Sequence, residues 1–77
     1  MTKQEVLAVF AKAGGFLKPD EARKYLRTSL DRRSFYSYLL RLARQGLLEQ
    51  KRTMSDRRVV YRLTPRGFAR LRYFRQR

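Results

Sequence analysis

The side chains in this sequence best equipped for chemistry are arginines. Fifteen stand against five lysines, and Arg33, Arg41 and Arg44 recur at helical spacing beside Arg32, with Ser34 and Ser37 among them. A second group, Lys51, Arg52, Arg57 and Arg58, brackets Ser55 and Asp56. The chemistry open to such groups is non-covalent. A guanidinium forks onto two acceptors in one plane, as on a phosphate or a guanine edge, and a serine hydroxyl both donates and accepts. Covalent chemistry is poorly provided for, because the chain has no His and no Cys. A nucleophile has no imidazole to activate it, and neither a disulfide nor a Cys/His zinc site can form. The six acids, Glu5, Asp20, Glu21, Asp31, Glu49 and Asp56, are scattered and read as caps, dipole partners or surface ions. The expectation is a protein that is not an enzyme and takes no cofactor or metal.

The net charge is +14, and its position says more than its size. Residues 1 to 31 hold six bases and four acids, net +2, whereas residues 32 to 77 hold fourteen bases and two acids, net +12. A GC-rich genome is an alternative explanation of the Arg-to-Lys ratio but not of this asymmetry. Charge so dense repels itself unless an anionic partner neutralises it; double-stranded DNA is the leading candidate and an anionic membrane surface the rival. The membrane fits less well, since the cations do not lie along one amphipathic helix with a broad apolar face. No apolar run approaches the ~20 residues that span a bilayer, and the N-terminus shows no apolar signal segment. A cytoplasmic, nucleoid-associated protein is expected.

The elements that must position these cations follow from periodicity and punctuation. At 77 residues, 43% of them hydrophobic, the chain is expected to be one domain over 1–77 with a small core. Val6, Val9, Phe10 and Ala13 mark the apolar face of a helix over 2–13, with Thr2 and Glu5 at capping-box spacing and Gly14-Gly15 as the stop. Phe16-Leu17 is long enough for one rung of a sheet. A second helix runs over 19–26, opened by Pro19, Asp20 and Glu21 and burying Ala22, Tyr25 and Leu26. After a turn at 27–30, Asp31 or Ser29 caps a third helix reaching Gln45, stopped by Gly46. Its core face is Phe35, Tyr38, Leu39 and Leu42, with Arg33, Ser37, Arg41 and Arg44 opposite. Leu40 points partly away from that core, which a dimer contact or cover from the next element would explain. Residues 48–53 and 57–63 read as two strands, joined by a tip at Met54, Ser55 and Asp56, with Val59, Tyr61 and Leu63 alternating against Arg58, Val60 and Arg62. Thr64 and Pro65 open a last helix ending near Arg75, with Phe68, Leu71 and Phe74 on its buried face.

That order is α+β and mainly α: a three-helix core, a short first strand, a two-stranded wing and a C-terminal helix. It resembles a winged helix-turn-helix. The run Leu39-Leu40-Arg41-Leu42-Ala43-Arg44-Gln45-Gly46-Leu47-Leu48-Glu49 resembles the end of the recognition helix and start of the wing in MarR-like and PadR-like transcriptional regulators. Val60-Tyr61-Arg62-Leu63-Thr64-Pro65-Arg66-Gly67 resembles the return strand of that wing and the start of the next helix. The resemblance implies DNA binding and, through the C-terminal helix, a possible homodimer, although those families commonly carry longer terminal helices than this chain.

Groove physics then distributes roles. A helix over 31–45 fits the major groove and presents Arg32, Arg33, Ser34, Ser37, Tyr38 and Arg41 to bases, with Arg41 and Arg44 long enough for flanking phosphates. Ser34 and Ser37 read equally as solvated helix surface, and Tyr38 reads better as core. Lys51, Arg52, Ser55, Arg57 and Arg58 on the hairpin lie along the backbone or the adjacent minor groove; the alternative is an ordinary charged edge hairpin. The leading functional reading is a sequence-specific regulator acting as a repressor. Its alternatives are a DNA-architectural or mobile-element accessory protein of low specificity, and an interaction module docking on a polymerase, a replication protein or RNA.

Overall fold

Capping chemistry sets most of the element boundaries. The structure is a computed structural model that describes residues 2–55 and 58–76, so Asp56 of the expected hairpin tip and Arg57 of the expected second strand lie outside the described residues. Helix α1 (Lys3–Ala13) starts at Thr2, whose hydroxyl accepts the Glu5 N–H at 3.2 Å while the Glu5 carboxylate accepts the Thr2 N–H at 3.1 Å. It stops at Gly14, left-handed at φ 70°, a conformation that suits a residue without Cβ. Helix α2 (Pro19–Leu26) carries Pro at its first position, and the Glu21 carboxylate accepts the Lys18 N–H at 3.1 Å. Arg27, left-handed at φ 50°, begins the turn. The Arg23 guanidinium pins that turn by donating twice to the Leu30 carbonyl, at 3.0 and 2.8 Å. Helix α3 (Arg32–Arg44) is capped by Asp31, not Ser29, through a 2.7 Å bond from the Ser34 N–H.

Strands β1 (Leu48–Arg52) and β2 (Val59–Leu63) pair antiparallel, with Leu48 opposite Leu63, Gln50 opposite Tyr61 and Arg52 opposite Val59. Leu17 adds the expected single rung, exchanging both backbone hydrogen bonds with Tyr61 at 2.8 and 2.9 Å. Thr53 and Arg58 close the hairpin: the Thr53 N–H donates to the Arg58 carbonyl at 2.8 Å, and the Arg58 N–H donates to the Thr53 hydroxyl at 3.2 Å. Helix α4 (Pro65–Arg75) is tied to the end of α3 through Thr64. The Thr64 hydroxyl accepts the Gly67 N–H at 3.0 Å and donates to the Gly46 carbonyl at 2.6 Å. Gly67 itself lies so near β2 that a Cβ there would fall 2.6 Å from Leu63 Cδ1 and closer still to the Leu47 carbonyl oxygen.

The core joins Val6, Leu7 and Phe10 of α1, Ala22 of α2, Phe35, Leu39 and Leu42 of α3, and Leu47, Leu48, Tyr61, Leu63 and Leu71. Helix α1 is its centre, packed on α2, α4 and β2 together. That explains one correction to the periodicity. With neighbours on several sides α1 buries Leu7 as well as Val6 and Phe10, while Val9 is only partly covered and Ala13 is exposed. Two aromatic assignments also change. Tyr25, expected inside, is 73% exposed, because α2 meets α1, α3 and β2 on its other faces. Phe68, expected on the buried face of α4, is 44% exposed, and Leu71 carries that contact instead. Val60 is buried although the strand alternation placed it outward. No helix among the described residues is long and apolar enough to cross a membrane.

Candidate nucleic-acid interface

Helix α3 and the β1–β2 hairpin share one concave side. A groove of about 510 Å³ runs between them, walled by Arg32, Tyr36, Ser37 and Leu40 of α3, by Gln50, Arg58, Val59 and Tyr61 of the hairpin, and by Lys18, Pro19 and Asp20 at the start of α2. Its construction follows from the core. Burying Phe35, Leu39 and Leu42 turns the opposite arc of α3 outward, and the rung at Leu17 clamps the hairpin to the body so that the face carrying Gln50 and Tyr61 looks back at that arc. Leu40 is thereby accounted for: it is partly buried and lines this groove, whose hairpin side carries Val59 and Tyr61.

The expected site residues separate into groups. Arg32, Ser37 and Arg58 line the groove. Arg33, Ser34, Arg41 and Arg44 are exposed on α3, with Arg33 and Arg44 on the same outward arc as Ser37. Arg52 is exposed and, two residues from Gln50, shares its face of β1. Ser55 is exposed at the tip. Lys51 falls on the other face, where its ammonium lies 5.4 Å from the Phe16 ring centroid, next to the Arg62 guanidinium at 4.8 Å. Tyr38 is half-buried against the core, and burial pushes its hydroxyl pKa up, so the core reading of this residue holds. Arg57 lies outside the described residues.

Several residues of the groove escaped the sequence reading: Tyr36, Gln50, Lys18 and Asp20. Tyr36 had a local signal, standing three residues after Arg33 and one turn after Arg32. Asp20 had none, because its partners come from the next helix. Its Oδ2 accepts from Arg32 Nη2 at 2.9 Å, and its Oδ1 accepts from the Tyr36 hydroxyl at 3.2 Å. The Tyr36 hydroxyl and then the Asp20 charge hold the Arg32 guanidinium above its ordinary pKa. Asp31 is held below the usual carboxylate value, chiefly by the Ser34 backbone N–H that it accepts. Glu49 pairs with Arg62 on the outer face of the sheet.

The arrangement can do one thing well. An α-helix about 10–12 Å across enters a major groove about 12 Å wide, and a cationic hairpin beside it meets the flanking backbone. The sequence profile of the winged helix DNA-binding domain matches residues 24–67, more than half of the chain and the part that builds the turn, α3 and the hairpin. No curated protein and no solved structure matches it.

Proposed function

The chain belongs to the winged helix DNA-binding domain family, and from that premise we propose that it is a small transcriptional regulator, a repressor that binds one duplex site and acts by occupying it. Helix α3 lies in the major groove, with Arg33, Ser34, Tyr36 and Ser37 toward base edges and Arg41 and Arg44 on phosphates. Arg52 and Arg58 reach the backbone or the adjacent minor groove, and Lys18 adds a phosphate contact from the start of α2. The 77 residues work as one domain that binds without catalysis. The observation that carries this reading is the groove shared by α3 and the hairpin.

Selection of bound genomic fragments followed by footprinting tests it. A regulator discriminates its site from random duplex by about a thousandfold or more. A ratio near one favours the architectural alternative, for which the exposed Arg66, Arg70, Arg72 and Arg75 on α4 speak. The exposed Phe68 supports pairing of two copies through α4. With arginines around it, such a pair strengthens as salt screens them, which sedimentation at low and high salt reads.

A further inference from the structure

Asp20 is out of place. It is the one carboxylate among the described residues that line the groove, whose other charged members are Lys18, Arg32 and Arg58. An anion there repels the phosphates that its neighbours attract. The dipole role expected of Asp20 does not require it, because Glu21 on the same turn supplies a carboxylate and closes the cap. Stability does not require it either. The Asp20–Arg32 pair is solvent-exposed, at 46% and 67% of the two side chains, and exposed pairs contribute little.

What distinguishes Asp20 is its reach to α3. Its two oxygens take Arg32 and Tyr36 separately, and Arg32 Nη2 also lies 3.3 Å from the Tyr36 oxygen, closing a triangle across the first turns of α3. We infer that Asp20 is a specificity-determining residue: its carboxylate offsets the charge of Arg32 and fixes Arg32 and Tyr36 as directional groups, so that they discriminate bases and add little to general phosphate attraction. The inference rests on α3 being the major-groove helix. An unpaired Arg at this position swings to the nearest phosphate and adds about 0.9 to the salt slope whatever the sequence. A clamped Arg leaves its carboxylate only for acceptors of matching geometry, such as the N7 and O6 of guanine.

The test compares wild type with Asp20→Asn, Arg32→Gln and Glu21→Gln. Dissociation constants are measured on a duplex enriched from random sequence by the wild-type chain, and on a scrambled duplex of equal length and composition. Asp20→Asn should tighten the scrambled duplex several-fold, steepen its salt slope by about 0.9 and lower the specificity ratio about tenfold. Arg32→Gln should weaken the enriched duplex about tenfold and leave the scrambled one within about twofold. Glu21→Gln makes the same charge change as Asp20→Asn and should move both duplexes together, leaving the ratio intact. A ratio in Asp20→Asn as intact as in Glu21→Gln overturns the inference alone. Failure of the random pool to yield any preferred duplex overturns the regulator reading and this inference with it.

Discussion

Replacing Arg41 and Arg44 together with Ala removes two cations from the exposed arc of α3 without touching its core face, since both side chains are exposed. In the proposed docking Lys18, Arg41, Arg44, Arg52 and Arg58 meet the backbone, and if each neutralises one phosphate the log–log salt slope is about −4.5. The double variant retains about three contacts and a slope near −2.7. Raising salt from about 50 to 200 mM then weakens wild type by about 500-fold and the variant by about 40-fold. Fluorescence anisotropy titrations across that range give both slopes. Because phosphates carry no sequence information, the loss should be the same on a specific and a scrambled duplex. A slope that stays at its wild-type value, or a loss confined to one sequence, refutes the assignment of these two arginines to the backbone.

Two further predictions concern what holds the groove in shape. Gly67→Ala forces a Cβ onto Leu63 and the Leu47 carbonyl, so urea unfolding should show a loss of about 2–3 kcal/mol, and an unchanged midpoint would mean that α4 does not sit where it is described. Asp31 is held below the ordinary carboxylate pKa by its cap to α3, so its contribution is fully present above the unfolded-state value and is lost as pH falls through the folded one. Circular dichroism should therefore show a low-pH loss of helix in wild type that is smaller in Asp31→Asn, which keeps a capping oxygen that does not titrate.

The elements were legible because each boundary rests on local chemistry: Thr2 with Glu5, Pro19, Asp31, Gly46 and Thr64-Pro65 each act within a few residues of themselves. The outward arc of α3 was legible for the same reason, since burying Phe35, Leu39 and Leu42 determines what must face away. Periodicity does not reveal how many neighbours an element has. Leu7, Tyr25 and Phe68 were misread on that account: α1 is covered on several sides, while one side of α2 and part of α4 are not. The division of the hairpin cations was missed because it depends on strand register, which sends Lys51 to the face of Phe16 and leaves Arg52 on the face of Gln50. The Asp20–Arg32–Tyr36 triangle joins two helices across a turn, and no window of local spacing contains it.

The claim that helix and hairpin engage one duplex from the same side can be measured with tethered cleavage. The chain has no Cys, so Ser29→Cys in the exposed turn before α3 and Met54→Cys at the hairpin tip, where Met54 is 98% exposed, each accept a single iron chelate. Both variants should cut the same bound duplex, Ser29→Cys at the site and Met54→Cys about half a helical turn (~5 bp) away. Cutting from only one of the two, or from positions more than a full turn apart, would contradict it.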